Sequence, residues 1–234
     1  ISKERSKFLT IEQKCVASLQ RVNGPNSLIK FKIKKKFIYL VSPNKIHNKI
    51  FYSQLEEIFK LNKIVFFQLR IKKDSKKNKI KIGKKVMKIC KKFKVKFIIN
   101  DDPLLAKKLN ADGCHLGQKD MNILNARKIL KNKIIGTTCH NSIKLVRKAV
   151  KDKVDYIALG SFYSTKTKRT KYKANYITLN LTKKITNIPI VAIGGIKFSN
   201  YKKLLLNKAN FLAISGYIWK NKKYKPLEAI QKLK

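Results

Sequence analysis

The sequence predicts an α/β chain folded as a (β/α)8 TIM barrel, a single domain with a basic N-terminal extension. Short apolar runs rich in β-branched and aromatic residues alternate with helical patterns from about residue 37 onward. About eight such strand–helix units fit in roughly 200 residues, the small end of the barrel class. Polar and charged residues of functional type gather where the strands end, the working rim of such a barrel. An open, doubly wound sheet is the competing architecture.

The units follow in order. Phe37–Val41 reads as the first strand, stopped by Ser42-Pro43-Asn44, with a helix from about Lys49 to Lys60. Ile64–Arg70 is a continuous apolar run ending in Gln68-Leu69-Arg70, followed by Ile71 and Lys72. It reads as a buried parallel strand. A basic helix spans about Ser75 to Phe93. Lys96–Asn100 is the third strand, and Asp101-Asp102-Pro103 is helix-start chemistry for a short helix reaching Leu109. Gly113–Gly117 and a helix over Ile123–Leu130 make the fourth unit. Lys133–Thr138 and Ser142–Val150 make the fifth. Tyr156–Gly160, a Ser/Thr/Lys loop and a weak helix near Leu179–Ile185 make the sixth. Pro189–Gly194 with Ser199–Asn207, then Asn210–Ile214 with a C-terminal helix, complete the set. Residues 1–36 mix charges with short apolar pieces, including a helical turn or two over Ile11–Leu19 and a loop signal at Asn23–Ser27. They are assigned as an extension of unknown role, and 37–234 as the barrel.

The 234 residues hold 57 Lys and Arg against 12 Asp and Glu, a formal charge of +45. Such a surplus ordinarily suggests nucleic acid. Here arginines are few (Arg5, Arg21, Arg70, Arg127, Arg147, Arg169), and the lysines are scattered among Asn and Ile. That distribution reads as coding bias, so no specific nucleic-acid partner is expected. The four cysteines, Cys15, Cys90, Cys114 and Cys139, lie far apart with no C-x-x-C, as in a reduced cytoplasmic protein. No stretch suits a bilayer span and no apolar run follows the first charges, so neither a membrane nor a secretory signal is expected.

The strand ends carry the chemistry. Side chains alternate along a strand, so Gln68, Arg70 and, if the strand continues, Lys72 share one face. Such a cationic stripe suits a diphosphate; the bland alternative is a frayed end with solvated cations. Asp101 and Asp120 stand out because acids are scarce. Two carboxylates beside a phosphate site suit Mg²⁺, although either could simply cap a helix. Thr165, Thr167 and Lys168 make a hydroxyl-rich loop that is either a phosphate clamp or plain surface. Gly194-Gly195 frees backbone N–H groups near a helix start, where anions bind. His140 is either an acid/base or a hydrogen-bonding partner. Together these describe two anion sites on one rim.

The runs Gln68-Leu69-Arg70-Ile71-Lys72, Ile99-Asn100-Asp101 and Ala111-Asp112-Gly113-Cys114-His115-Leu116-Gly117-Gln118-Lys119-Asp120 resemble the thiamine-phosphate synthase (thiamine-phosphate pyrophosphorylase) family. So do Ile135-Gly136-Thr137-Thr138-Cys139-His140, Thr165-Lys166-Thr167-Lys168 and Val191-Ala192-Ile193-Gly194-Gly195-Ile196. All six occur in the family's order. The resemblance implies a transferase of thiamine biosynthesis that joins a hydroxymethylpyrimidine diphosphate to a thiazole phosphate and releases pyrophosphate. It implies that Gln68, Arg70, Lys72 and Asn100 hold the pyrimidine diphosphate, with Leu69 and Ile71 in the same segment. Asp101 and Asp120 would ligate Mg²⁺, and Thr138 would contact the pyrimidine. Thr165 and Thr167, flanking Lys166, would contact the thiazole phosphate, Lys168 the diphosphate, and Gly195, Ile214 and Ser215 would cup the thiazole phosphate. Arg70, Lys72, Thr138 and Lys168 are the implied catalytic set. Thr138 stands where Ser is common.

Two rival functions are a thiazole tautomerase on a related barrel, leaning on His140, and a basic nucleic-acid-binding protein. The retained Gln68, Arg70, Lys72, Asp101 and Asp120 favour the synthase. Self-association into a homo-oligomer is left open.

Overall fold

A computed structural model of the chain describes residues 36–46, 49–165 and 171–233. The expectations placed on residues 1–35 and on Lys166, Thr167 and Lys168 lie outside the described residues.

Eight parallel strands close into a barrel in sequence order. They are β1 (Ile38–Val41), β2 (Ile64–Leu69), β3 (Lys96–Asn100), β4 (Gly113–Leu116), β5 (Ile134–His140), β6 (Tyr156–Gly160), β7 (Ile190–Ile193) and β8 (Phe211–Ile214). The pairing of β8 with β1, Leu212 opposite Ile38, closes the ring and excludes the open sheet. Between and after the strands run α1 (Ile50–Lys60), α2 (Lys76–Lys92), α3 (Pro103–Lys108), α4 (Ile123–Leu130), α5 (Ile143–Lys151), α6 (Tyr176–Ile185), α7 (Tyr201–Leu206), α8 (Gly216–Trp219) and α9 (Pro226–Gln231).

The helix starts follow local chemistry. Ser75, Asp102, Asn122, Ser142 and Asn175 each accept a hydrogen bond from the backbone N–H three residues on, which fixes where α2 to α6 begin. Pro103 occupies the first turn of α3, where its missing N–H costs nothing.

Two layers of core hold the barrel. Tyr39, Phe66, Tyr156 and Phe211 sit on β1, β2, β6 and β8, and their rings lie 5.2–5.9 Å apart. Rings from non-adjacent strands meet only through the barrel interior, so they plug its floor. On the other face of β2, Phe67 packs outward against Phe51 and Phe59 of α1. The rim between first and last strands is tied twice. Ser215 Oγ donates to the Ser42 carbonyl at 3.2 Å, and Trp219 Nε1 donates to the Val41 carbonyl at 2.7 Å.

Three details differ from the sequence reading. β2 stops at Leu69, because the Arg70 N–H turns aside to Ser42 Oγ at 2.9 Å. β5 runs on to His140 through a register shift after Thr138. The single C-terminal helix is two pieces, α8 and α9, interrupted where Asn221 Oδ1 accepts from the Lys223 and Tyr224 N–H groups.

Candidate active site

The C-terminal ends of the strands surround a cavity of about 730 Å³. Every strand contributes to its lining. Among the described lining residues, Arg70, Lys72, Lys119, Lys197 and Lys220 bring positive charge and Asp101 and Asp120 negative. The balance favours an anionic ligand.

β2 supplies the cationic arm. Gln68 faces inward, is buried and lines the cavity with its amide group. A buried amide facing a cavity calls for a partner there. Arg70 leans on Asn44, its Nη1 3.0 Å from Oδ1. Burial pulls the Arg70 pKa below its ordinary value, opposed by the nearby Asp101 charge. Lys72 reaches the cavity although the strand ends before it. Leu69 and Ile71 do not line this cavity. They line an adjoining space of about 180 Å³ together with Ile99, Leu105 and Lys79, and Lys72, Asn100 and Asp101 border both spaces.

The carboxylates lie beyond β3 and β4. Asp102, not Asp101, caps α3, its Oδ1 accepting from the Leu105 N–H at 2.9 Å. Asn122, not Asp120, caps α4. Asp101 adopts φ 66° and is free of the capping role, so its carboxylate reaches the cavity and meets Lys72 Nζ at 2.8 Å. Asp120 accepts from the Gly117 N–H at 2.7 Å and lines the same cavity. The two acids interact. Burial works against the Asp101 charge, but Lys72 and a hydrogen bond with Asp120 outweigh it and hold its pKa below the usual value. Burial and the same shared hydrogen bond push Asp120 above it, against the pull of the Gly117 N–H. The two acids are coupled, and as pH falls Asp120 takes up a proton before Asp101. No group of three or more His, Cys, Asp and Glu placed for a metal occurs among the described residues.

Asn100, the last residue of β3, lines the cavity beside Asp101. Thr138 of β5 does too; its carbonyl accepts from Gln118 Nε2 at 2.6 Å, and its Oγ1 lies 2.8 Å from His115 Nε2. His115 was not singled out in the sequence; a His before a Gly-Gln pair carries no signal until Thr138 and Tyr156 are folded around it. His140 stacks on Tyr172, ring centroids 4.1 Å apart, at the cavity edge.

The opposite side is mostly backbone. Gly194 and Gly195 have φ 98° and 65°, and a side-chain carbon on Gly195 would run into the Ser164 carbonyl and Tyr163. The β6–α6 loop therefore packs directly on this turn, which brings Thr165 to the same cavity. Ser215 and the start of α8 line it as well, where the first N–H groups of a helix have no partner inside the helix. Ile214 is buried; Ala213 before it faces inward, so Ile214 offers main chain only. Lys197 and Lys220, unmarked in the sequence among many lysines, stand at this end. One cavity thus gathers Gln68, Arg70, Lys72, Asn100, Asp101, Asp120, Thr138, Thr165, Gly195, Ile214 and Ser215.

A family model described as thiamine monophosphate synthase matches residues 38–218, most of the chain. The chain belongs to the thiamine-phosphate synthase family. Its activity is the family's, and it is a transferase of thiamine biosynthesis. The thiamine-phosphate synthase of Pelagibacter ubique is 70% identical over 203 residues, covering 87% of this chain and 98% of that protein. The thiamine-phosphate synthase of Erythrobacter litoralis is 37% identical over 188 residues, 78% of this chain and 87% of the relative. A thiamine phosphate pyrophosphorylase from Pyrococcus furiosus superposes with a TM-score of 0.75 at 25% identity, covering 85% of this chain and 94% of the other. Neither the tautomerase nor the nucleic-acid reading finds support among these relatives of the synthase family.

Proposed function

We propose that the chain condenses 4-amino-2-methyl-5-(diphosphooxymethyl)pyrimidine with 4-methyl-5-(2-phosphoethyl)thiazole, giving thiamine phosphate and pyrophosphate by a dissociative displacement. The C–O bond to the diphosphate breaks first, and its electron pair leaves on pyrophosphate. The thiazole ring nitrogen then donates its lone pair to the pyrimidine methylene carbon. Binding both reactants on one rim makes the second step effectively unimolecular.

The observation that carries this reading is that Arg70, Lys72, Asp101 and Asp120 open onto the same cavity as Gly195 and Ser215. In this reading Gln68, Arg70, Lys72 and Asn100 hold the pyrimidine diphosphate, and Lys168 closes on the diphosphate. Thr138 meets the pyrimidine substrate. Thr165, Thr167, Gly195, Ile214 and Ser215 seat the thiazole phosphate. The preset cations stabilise charge as it develops on the leaving group.

The donor set fits Mg²⁺. Asp101 and Asp120 offer a pair of carboxylates on one cavity, an all-oxygen set that suits a hard divalent ion, and Mg²⁺ takes few protein ligands beside phosphate. Asp101 and Asp120 would hold it, and bound there it supplies charge to the departing diphosphate. The free, buried Cys90, Cys114 and Cys139 suit a reducing compartment, and we assign the reaction to the cytoplasm. No helix among the described residues is long and apolar enough to cross a membrane.

The test is to mix the purified protein with both substrates and Mg²⁺ and follow thiamine phosphate by chromatography. Product is expected only with both substrates and the cation. Isomerisation of a thiazole substrate alone, with no coupled product, would overturn the proposal.

A further inference from the structure

The two sides of the cavity differ in charge. Asp101 and Asp120 stand past β3 and β4, with Arg70 and Lys72 past β2 and Lys119 beside Asp120. In the closed ring β7 and β8 lie four strands from β3 and β4, on the opposite side. There the lining carries Lys197, past β7, and Lys220, past β8, and no Asp or Glu among the described residues. Three cations accompany two carboxylates on one side; two cations accompany none on the other.

Both lysines start from pinned backbone. The Asn200 side chain spans the turn after β7: its Oδ1 accepts from the Lys197 N–H at 2.8 Å, and its Nδ2 donates to the Gly195 carbonyl at 3.1 Å. Lys197 is thereby fixed next to the Gly194-Gly195 turn. Lys220 closes the far end of α8, its N–H donating to the Gly216 carbonyl at 3.0 Å, and the Trp219 before it is tied to Val41. Neither lysine is in an ion pair among the described residues, and both are exposed.

A phosphate ester carries about −1.5 to −2 at pH 7. Backbone N–H groups at Gly195 and Ser215 can orient such a group but carry no net charge to match it. Two ammonium groups on flexible stems supply that charge without imposing a geometry of their own. We infer that Lys197 and Lys220 are binding residues for the thiazole phosphate and select the phosphate ester over the corresponding alcohol. The inference rests on the proposed seating of that substrate at Gly195 and Ser215. It gives the choice of a charged substrate to two side chains outside all six motif runs. Because both are exposed, water and salt screen them, and each contributes only severalfold to affinity.

The test is calorimetric titration of the purified protein with 4-methyl-5-(2-phosphoethyl)thiazole at low salt. Lys197→Met and Lys220→Met should each weaken binding about 3-fold, and the double variant about 10-fold. Lys197→Arg and Lys220→Arg should keep affinity within about twofold. The loss in the double variant should shrink to about twofold at roughly 1 M salt. Affinity for the pyrimidine diphosphate, and for the thiazole alcohol without its phosphate, should stay within about twofold throughout. Lys203→Met removes the same charge from an exposed lysine of α7 outside the lining and should change nothing. Unchanged affinity for the thiazole phosphate in the double variant, or an equal loss in Lys203→Met, would overturn the inference. A wild type that binds the thiazole phosphate, loses it in the double variant and yet makes no thiamine phosphate would instead sink the proposed reaction and leave the two lysines assigned.

Discussion

Lys72 Nζ lies 2.8 Å from Asp101 Oδ2, so a cation we propose to hold the diphosphate is paired with a carboxylate we propose to hold Mg²⁺. The Lys72 side chain is 52% exposed and that of Asp101 28%, so the pair is worth only about 0–1 kcal/mol to the fold. Its importance is for exchange of partners on binding. Lys72→Met should leave the unfolding midpoint nearly unchanged and tighten Mn²⁺ binding to the free protein severalfold. The same change should lower kcat/KM for the pyrimidine diphosphate by about 10²-fold. A Mn²⁺ titration by electron paramagnetic resonance, beside steady-state kinetics, checks both halves; weaker ion binding would contradict the exchange.

Asp120 is raised and Asp101 lowered, so as pH falls the pair takes its proton on Asp120 first. A divalent ion must expel that proton. Ion affinity should therefore be full well above the Asp120 pKa and fall as pH drops through it, at a pH above the ordinary carboxylate value of 3.8. Calorimetry in two buffers of different ionisation enthalpy should show proton release near that pKa and none far above it. Asp120→Asn keeps an acceptor for the Gly117 N–H and should abolish both the pH dependence and the Mg²⁺-stimulated turnover, with the fold retained.

Neighbouring acids separate stability from function. Asp102→Ala removes the cap of α3 and should cost about 1 kcal/mol by denaturant unfolding with modest change in kcat. Asp101→Asn tolerates the positive φ and should do the reverse, losing turnover by about 10²-fold with little change in stability. Equal effects of the two on turnover would refute the division of labour.

Ile71 sits inside the matched motif but lines the adjoining small space and not the main cavity. Ile71→Val should cost about 0.5–1.5 kcal/mol of stability and leave both KM values unchanged. A selective rise in the KM for the diphosphate would mean that this segment reads the substrate through more than Gln68, Arg70 and Lys72.

Much of this was legible along the chain. Lys96–Asn100, Tyr156–Gly160 and Ile123–Leu130 were read with their observed bounds, because apolar runs and capping residues act locally. Ring closure followed from counting units. What the linear pattern could not show was which of two adjacent acids caps and which turns to the cavity, since Asp101 and Asp102 suit either task. Nor could it show that Lys72 reaches the mouth although β2 has ended. Alternation put Leu69 and Ile71 outside, but the motif they share with Gln68 and Arg70 drew them in. Tyr39 and Tyr156 are 117 positions apart, and their hydrogen bond exists only after closure.

The seam where β8 meets β1, tied by Ser215 to Ser42 and by Trp219 to Val41, sets an order of events during synthesis. β1 must wait for Phe211–Ile214 to leave the ribosome before it finds its second neighbour. A polypeptide cut short of Phe211 would lack the seam and half of the rim opposite the carboxylates. Partial copies should therefore be catalytically silent, and they should offer exposed strand edges to chaperones and proteases.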